Sequence, residues 1–243
     1  MTESRAVVVE VVVAAPIDAV WKALRDPAII ARWFGWSDPG LPDEIEYIFF
    51  THATADDASY RLTLDDDEFT LEAQGDQTLV RVTRAAPAGG SWNEIYDDIA
   101  EGWRTFVHQL RFAFARHAGE PRRTIYLSGR TRSKRAPPPP EALGLGGFAE
   151  AWPGHSYAID VATGDRLTGH VWFRSAWQIG LVVDTFGPGL LVAMRRPPTT
   201  ASPFGGGMFV LTLYGFDEAA HAALTARWRR WFEAAFDNVT VQT

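Results

Sequence analysis

The chain has 243 residues, with 30 acidic and 23 basic side chains and no cysteine. That length suits two ordinary domains or one large one, and the lack of cysteine removes disulfide frameworks and thiolate metal sites. A net charge of −7 argues against non-specific nucleic-acid binding.

Arg5–Val13 is a nearly continuous β-branched run, which predicts a strand covered on both faces. Pro16 then stands where a first helical turn tolerates proline, and Ile17, Val20, Trp21 and Leu24 give an apolar face at helical spacing. Asp26-Pro27 is a second start signal, an N-cap followed by proline, with Ile29, Ile30, Trp33 and Phe34 behind it. Four strands are expected next, at Glu44–His52, Tyr60–Leu64, Glu68–Gln74 and Thr78–Arg84, joined by short Asp- and Gly-containing connectors. Ser91-Trp92-Asn93-Glu94 reads as a capping box, opening a helix of about 25 residues that ends near Ala118.

A boundary falls in the stretch after residue 118. Thr124–Gly129 fits a new first strand, while Arg130–Arg135 and Pro137–Pro140 form a basic and then proline-rich segment, so that 121–140 is a boundary region. A short helix is expected around Glu141–Leu145. Period-two apolar positions at Tyr157–Val161, Leu167–Phe173, Ile179–Val183, Leu190–Met194 and Phe209–Leu213 predict a second meander, longer than the first by one or two strands. Asp217 is a suitable N-cap for a last helix running to about Phe236.

The two long helices repeat one pattern. Ile95, Ile99, Trp103, Phe106, Val107 and Leu110 recur 125 residues later as Ala220, Leu224, Trp228, Trp231, Phe232 and Ala235. A period near 120 residues fits a duplicated domain, not a solenoid repeat. Domains at 1–118 and 119–243 are therefore expected. The first holds 20 acidic and 10 basic side chains and the second 10 and 13, which reads either as complementarity between the halves or as drift of solvated surfaces.

The run Ala15-Pro16-Ile17-Asp18-Ala19-Val20-Trp21-Lys22-Ala23-Leu24-Arg25-Asp26-Pro27, with Trp33-Phe34 beyond, resembles the START/SRPBCC superfamily. Within it the run is similar to the group named for the activator of the heat-shock-protein-90 ATPase. Glu94–Leu110 is similar to that group's closing helix. The resemblance implies an α+β fold of tandem helix-grip domains, each a curved antiparallel sheet around a long C-terminal helix, often with an apolar cavity between them. The second half lacks the Ala-Pro-x-x-x-Val-Trp run and reads as a divergent copy. Twenty-one arginines against two lysines fit a GC-rich bacterial coding sequence.

The sequence has no Walker loop, dinucleotide fingerprint, nucleophile elbow or His-Glu-x-x-His motif. The six histidines are scattered, so neither a metal nor a cofactor is expected. His52 and Glu46 share one face of the expected strand, and Tyr47 and Tyr60 the opposite one; these polar groups support no catalytic assignment. Ten tryptophans direct attention to an apolar pocket instead. Its candidate lining is Tyr47, Tyr60, Trp103 and Phe106 in the first half and Trp172, Trp177, Trp228 and Trp231 in the second. Phe112 and Phe114 point about 200° apart on one helix and cannot both face the sheet.

The expected function is binding of a small apolar or aromatic ligand without catalysis. The alternatives are a cyclase- or aromatase-like enzyme and a chaperone-interacting module. No nucleic-acid or membrane partner is expected; a domain–domain contact within the chain and a homodimer are both compatible with the pattern. The Val7–Val13 run, broken by Glu10, is no signal peptide, and a cytoplasmic setting is expected.

Overall fold

The computed structural model of the chain describes residues 5–85, 94–148 and 150–243, with side chains described from residue 98 onward in the long central helix. Two compact units divide the chain after Glu120, and residues 36–38 are counted with the second. The expected capping box Ser91–Glu94 lies outside the described residues.

The first unit begins with β1 (Arg5–Val13), α1 (Ile17–Arg25) and α2 (Pro27–Ile30). The local signals act as read: Pro16 precedes α1, and the Asp26 carboxylate caps α2 by accepting from Ala28 N at 3.0 Å. After α3 (Leu41–Glu46) and a π-helical turn (Tyr47–Thr51) come β2 (Ala53–Asp56), β3 (Arg61–Leu64), β4 (Asp67–Gln74) and β5 (Gln77–Ala85). The 23-residue α4 (Glu94–Arg116) follows. The sheet runs in the order β1-β5-β4-β3-β2, so the first strand pairs antiparallel with the last.

Two expectations fail in this unit. Glu44–His52 is helical, not a strand. Its buried residues are Ile45 and Phe49, which with Leu41 recur every four residues, while Pro42 sits in the first helical turn. Nor is β1 covered on both faces: Val7 is 56% and Val12 38% exposed. A bulge between Val7 and Val9 puts both Val8 and Val9 inside.

The second unit opens with β6 (Arg122–Arg130), which places the start of the expected boundary segment inside a sheet. Then come α5 (Pro139–Leu143), a 3₁₀ turn at Leu145–Phe148, β7 (Ser156–Asp160), β8 (Arg166–Arg174), β9 (Gln178–Val183), β10 (Gly189–Arg196) and β11 (Gly206–Tyr214). The unit ends in α6 (Glu218–Ala235) and β12 (Asp237–Gln242). Asp217 caps α6, accepting from Ala220 N at 2.7 Å. The order β12-β6-β11-β10-β9-β8-β7 again pairs the first strand of the unit with the last strand of its meander. Matching the sheets from that closing pair outward leaves β7 and β12 without counterparts in the first unit.

In each unit the long helix packs its apolar stripe on one sheet face. Trp103, Val107 and Leu110 of α4 are buried with β1, β4 and β5, although Ile99, read into the same stripe, is 38% exposed. Leu224, Trp228 and Phe232 of α6 are buried against β6, β10 and β11. Gly129 permits the close approach on β6, because a Cβ there would stand 2.8 Å from the Phe232 ring.

Candidate functional site

The space between helix and sheet is occupied by aromatic rings. In the first unit Phe34 meets Phe49, Trp103 and Phe106 at centroid distances of 5.0, 5.8 and 4.7 Å, and Phe69 meets Trp103 at 5.0 Å. In the second, Phe209 contacts Trp228, Trp231 and Phe232 at 5.8 to 6.1 Å. These edge-to-face and tilted contacts are a packed aromatic core. Trp103, Phe106, Trp228 and Trp231, predicted to line a pocket, therefore fill the space between helix and sheet in the two units.

A buried indole N–H needs an acceptor, and Trp103 of α4 and Trp228 of α6 each find a carboxylate. Trp103 Nε1 donates to Asp67 Oδ2 at 2.9 Å, where Arg84 also donates at 2.6 Å. Burial pushes the Asp67 carboxyl above its usual range, with Trp103 and then Arg84 opposing that rise. Trp228 Nε1 donates to Asp165 Oδ2 at 2.9 Å, and Asp165 also accepts from Thr163 and from both faces of the Arg227 fork. The two aspartates come from non-equivalent hairpins, β3–β4 and β7–β8. Each buried indole thus draws its acceptor from a different hairpin, as an N–H removed from water requires a partner.

The remaining predicted lining residues sit apart from one another. Tyr47, expected to face inward on a strand, is 56% exposed on the π-helical turn, against the His52 ring. Tyr60 is half-buried, edge-on to Trp21, and its hydroxyl donates to Asp18 at 2.5 Å. Trp172 is half-buried at the β8 bulge. Trp177 lines a cleft. That cleft, about 140 Å³, lies beside α5 and the 3₁₀ turn, with Phe148 and Ile179 in its wall and the Arg195 guanidinium 5.4 Å from the Trp177 ring centre.

A larger apolar cleft, about 280 Å³, belongs to the first unit, and its position was not anticipated from the sequence. It lies among α1, α2 and the C-terminal half of α4. Ala19, Ile29, Trp33, Leu110, Ala113 and Phe114 form its walls. Trp33 is fixed by donating to Ala23 O at 2.9 Å. The divergence of Phe112 and Phe114 is realised here: Phe112 is fully buried and Phe114 faces the cleft. The signal available in the sequence was the apolar pair Leu110 and Phe114, one turn apart on α4. A third groove, about 660 Å³ along α6, is lined mainly by charged and small residues and lacks an apolar floor. Among the described residues no cluster of metal-ligating side chains occurs, and no helix is long and apolar enough to cross a membrane.

No family model matches the chain, and no curated protein does. Three solved structures align over nearly its whole length. DynU16, from the dynemicin biosynthetic locus, is 16% identical, with 95% of each chain covered and a TM-score of 0.29. The di-domain ARO/CYC protein BexL of the BE-7585A pathway is 12% identical over 96% of this chain and 93% of its own, at a TM-score of 0.36. The di-domain ARO/CYC protein StfQ of the steffimycin pathway is 14% identical over 96% and 94%, at 0.34. Likeness at these values assigns neither an activity nor a ligand to this chain.

Proposed function

We propose that this chain is a tandem helix-grip protein of START/SRPBCC type that binds a small apolar or aromatic molecule without transforming it. The helix-grip reading rests on the Ala15–Pro27 run and on the closing-strand pairing that both units share. The binding reading rests on one observation: the cleft walled by Ile29, Trp33, Leu110 and Phe114 is apolar, while the grips are filled with side chains. Its volume of about 280 Å³ is roughly twice the ~150 Å³ cavity that holds a benzene. A two-ring body therefore matches it. Its walls are apolar side chains, and the titratable pair that borders it, His117 and Glu120, face each other with Nδ1 and Oε2 3.4 Å apart, which favours binding over catalysis.

The test is a thermal-shift titration with 2-naphthamide, a neutral two-ring probe. Free ligand at 100 times Kd stabilises by about 2.7 kcal/mol, enough to raise the melting temperature by several degrees. Ala113→Phe, which fills the cleft without adding charge, should abolish the shift while preserving the far-UV circular dichroism. An unchanged shift in Ala113→Phe would place the ligand elsewhere and defeat the proposal.

A further inference from the structure

Two cations stand at the rim of the apolar cleft. Lys22, exposed on α1, and Arg32, half-buried after α2, both border it. Arg32 is held there by donating to Gly119 O at 3.2 Å. The acidic residue of the rim, Glu120, faces His117, with Nδ1 and Oε2 3.4 Å apart. Among the described residues neither Lys22 nor Arg32 has an acidic side chain within ion-pair distance. Lys22 is moreover one of only two lysines in the chain.

An apolar wall bordered by two cations without acidic partners has the polarity of an organic acid. We propose that the ligand of this cleft carries an anionic head, a carboxylate, on its apolar or aromatic body. The body lies against Ile29, Trp33, Leu110 and Phe114, and the carboxylate turns outward to Lys22 and Arg32. This proposal rests on the apolar-ligand reading and adds the head group to it. Two features favour the arrangement. The guanidinium can meet a carboxylate with two parallel N–H donors, and the flexible ammonium can follow the head without strict geometry. The charges sit at the rim, so a carboxylate keeps part of its hydration and avoids the cost of full burial.

The experiment compares naphthalene-2-carboxylate with 2-naphthamide, which share shape but differ in charge, by calorimetry at 20 mM and 300 mM salt. The carboxylate should bind about 3- to 10-fold more tightly at low salt, the range expected of rim charges, and lose most of that advantage at high salt. Lys22→Gln, on the surface and without an acidic partner, should remove much of the preference, so that the carboxylate loses more affinity than the amide. Arg32→Lys keeps the charge but not the fork, and should weaken only the carboxylate. Equal affinity for both probes in the parent protein overturns the anionic head and leaves the apolar reading standing. Failure of both probes to bind overturns the apolar reading itself. Equal loss of both probes in Lys22→Gln would show a disturbed cleft and also count against the proposal.

Discussion

The Trp103–Asp67 tie makes a quantitative prediction. Trp103→Phe keeps an aromatic ring in the first core and removes the N–H that reaches Asp67 Oδ2 at 2.9 Å. The side chains of Asp67 and Arg84 are only 8% and 9% exposed, and Asp67 Oδ1 has no hydrogen-bond partner among the described residues. Losing a neutral donor to a buried charge costs about 1.5–3 kcal/mol, and the smaller ring adds about 1 kcal/mol of lost packing. The expected total is about 2.5–4 kcal/mol. Trp228→Phe removes the matching bond in the second unit, but Asp165 keeps Thr163 and both Arg227 donors. That variant should cost about 1 kcal/mol less. Urea unfolding followed by far-UV circular dichroism measures both, with an unchanged m-value required for the comparison. A double-mutant cycle of Trp103→Phe with Asp67→Asn isolates the charge-assisted part. The reasoning is refuted if Trp103→Phe costs less than about 1 kcal/mol or no more than Trp228→Phe.

Three further predictions concern pH and backbone. Burial raises the folded-state pKa of Asp67 above its ordinary 3.8, so its contribution is full below that pH and is lost as pH climbs through the raised value. Stability of Asp67→Asn relative to the parent should thus improve as pH rises above 3.8, and a pH-independent difference would contradict this. His108 is pushed from 6.5 down to about 3, chiefly by burial and then by Arg111 and Arg104. The unfolded chain takes up its proton first as pH falls below 6.5, so stability drops by up to about 1.4 kcal/mol per pH unit. His108→Gln should flatten that part of the curve, and an unaltered slope would exclude His108 as its source. Gly169, at φ +152, would place a Cβ 1.9 Å from Val182 O across the β8–β9 pair. Gly169→Ala should destabilise the second unit by well over 1 kcal/mol, read as a lower urea midpoint with near-parent behaviour of the first core.

Where local chemistry decides, the sequence was a sound guide. Asp26 and Asp217 cap their helices because a short carboxylate can reach the free N–H groups one turn on. The strands of the second meander follow from alternating apolar positions and intervening Gly turns. Glu44–His52 misled because Ile45, Tyr47 and Phe49 satisfy both a two-residue and a four-residue reading. Tyr47 decides between them only when its exposure is known. β2 and β12 are short, polar edge strands, whose pairing comes from the neighbouring strand and not from their own pattern.

The repeated tryptophan pattern on α4 and α6 specified, without any structure, two helices that each bury one apolar face. It could not specify what the indoles meet. Whether aromatic rings leave a cavity or close it depends on their relative placement across a sheet formed by distant strands, and that placement is a property of packing. The tertiary structure packed Trp103, Phe106, Trp228 and Trp231 into core and brought Asp67 and Asp165 to the indoles from different hairpins. It also opened the cleft elsewhere, where α1, α2 and the end of α4 converge. Ile29, Trp33, Leu110 and Phe114 are ordinary apolar helix positions in the sequence, and Lys22 and Arg32 are ordinary surface cations. Only the crossing of three helices makes one apolar wall of the first set and a charged rim of the second.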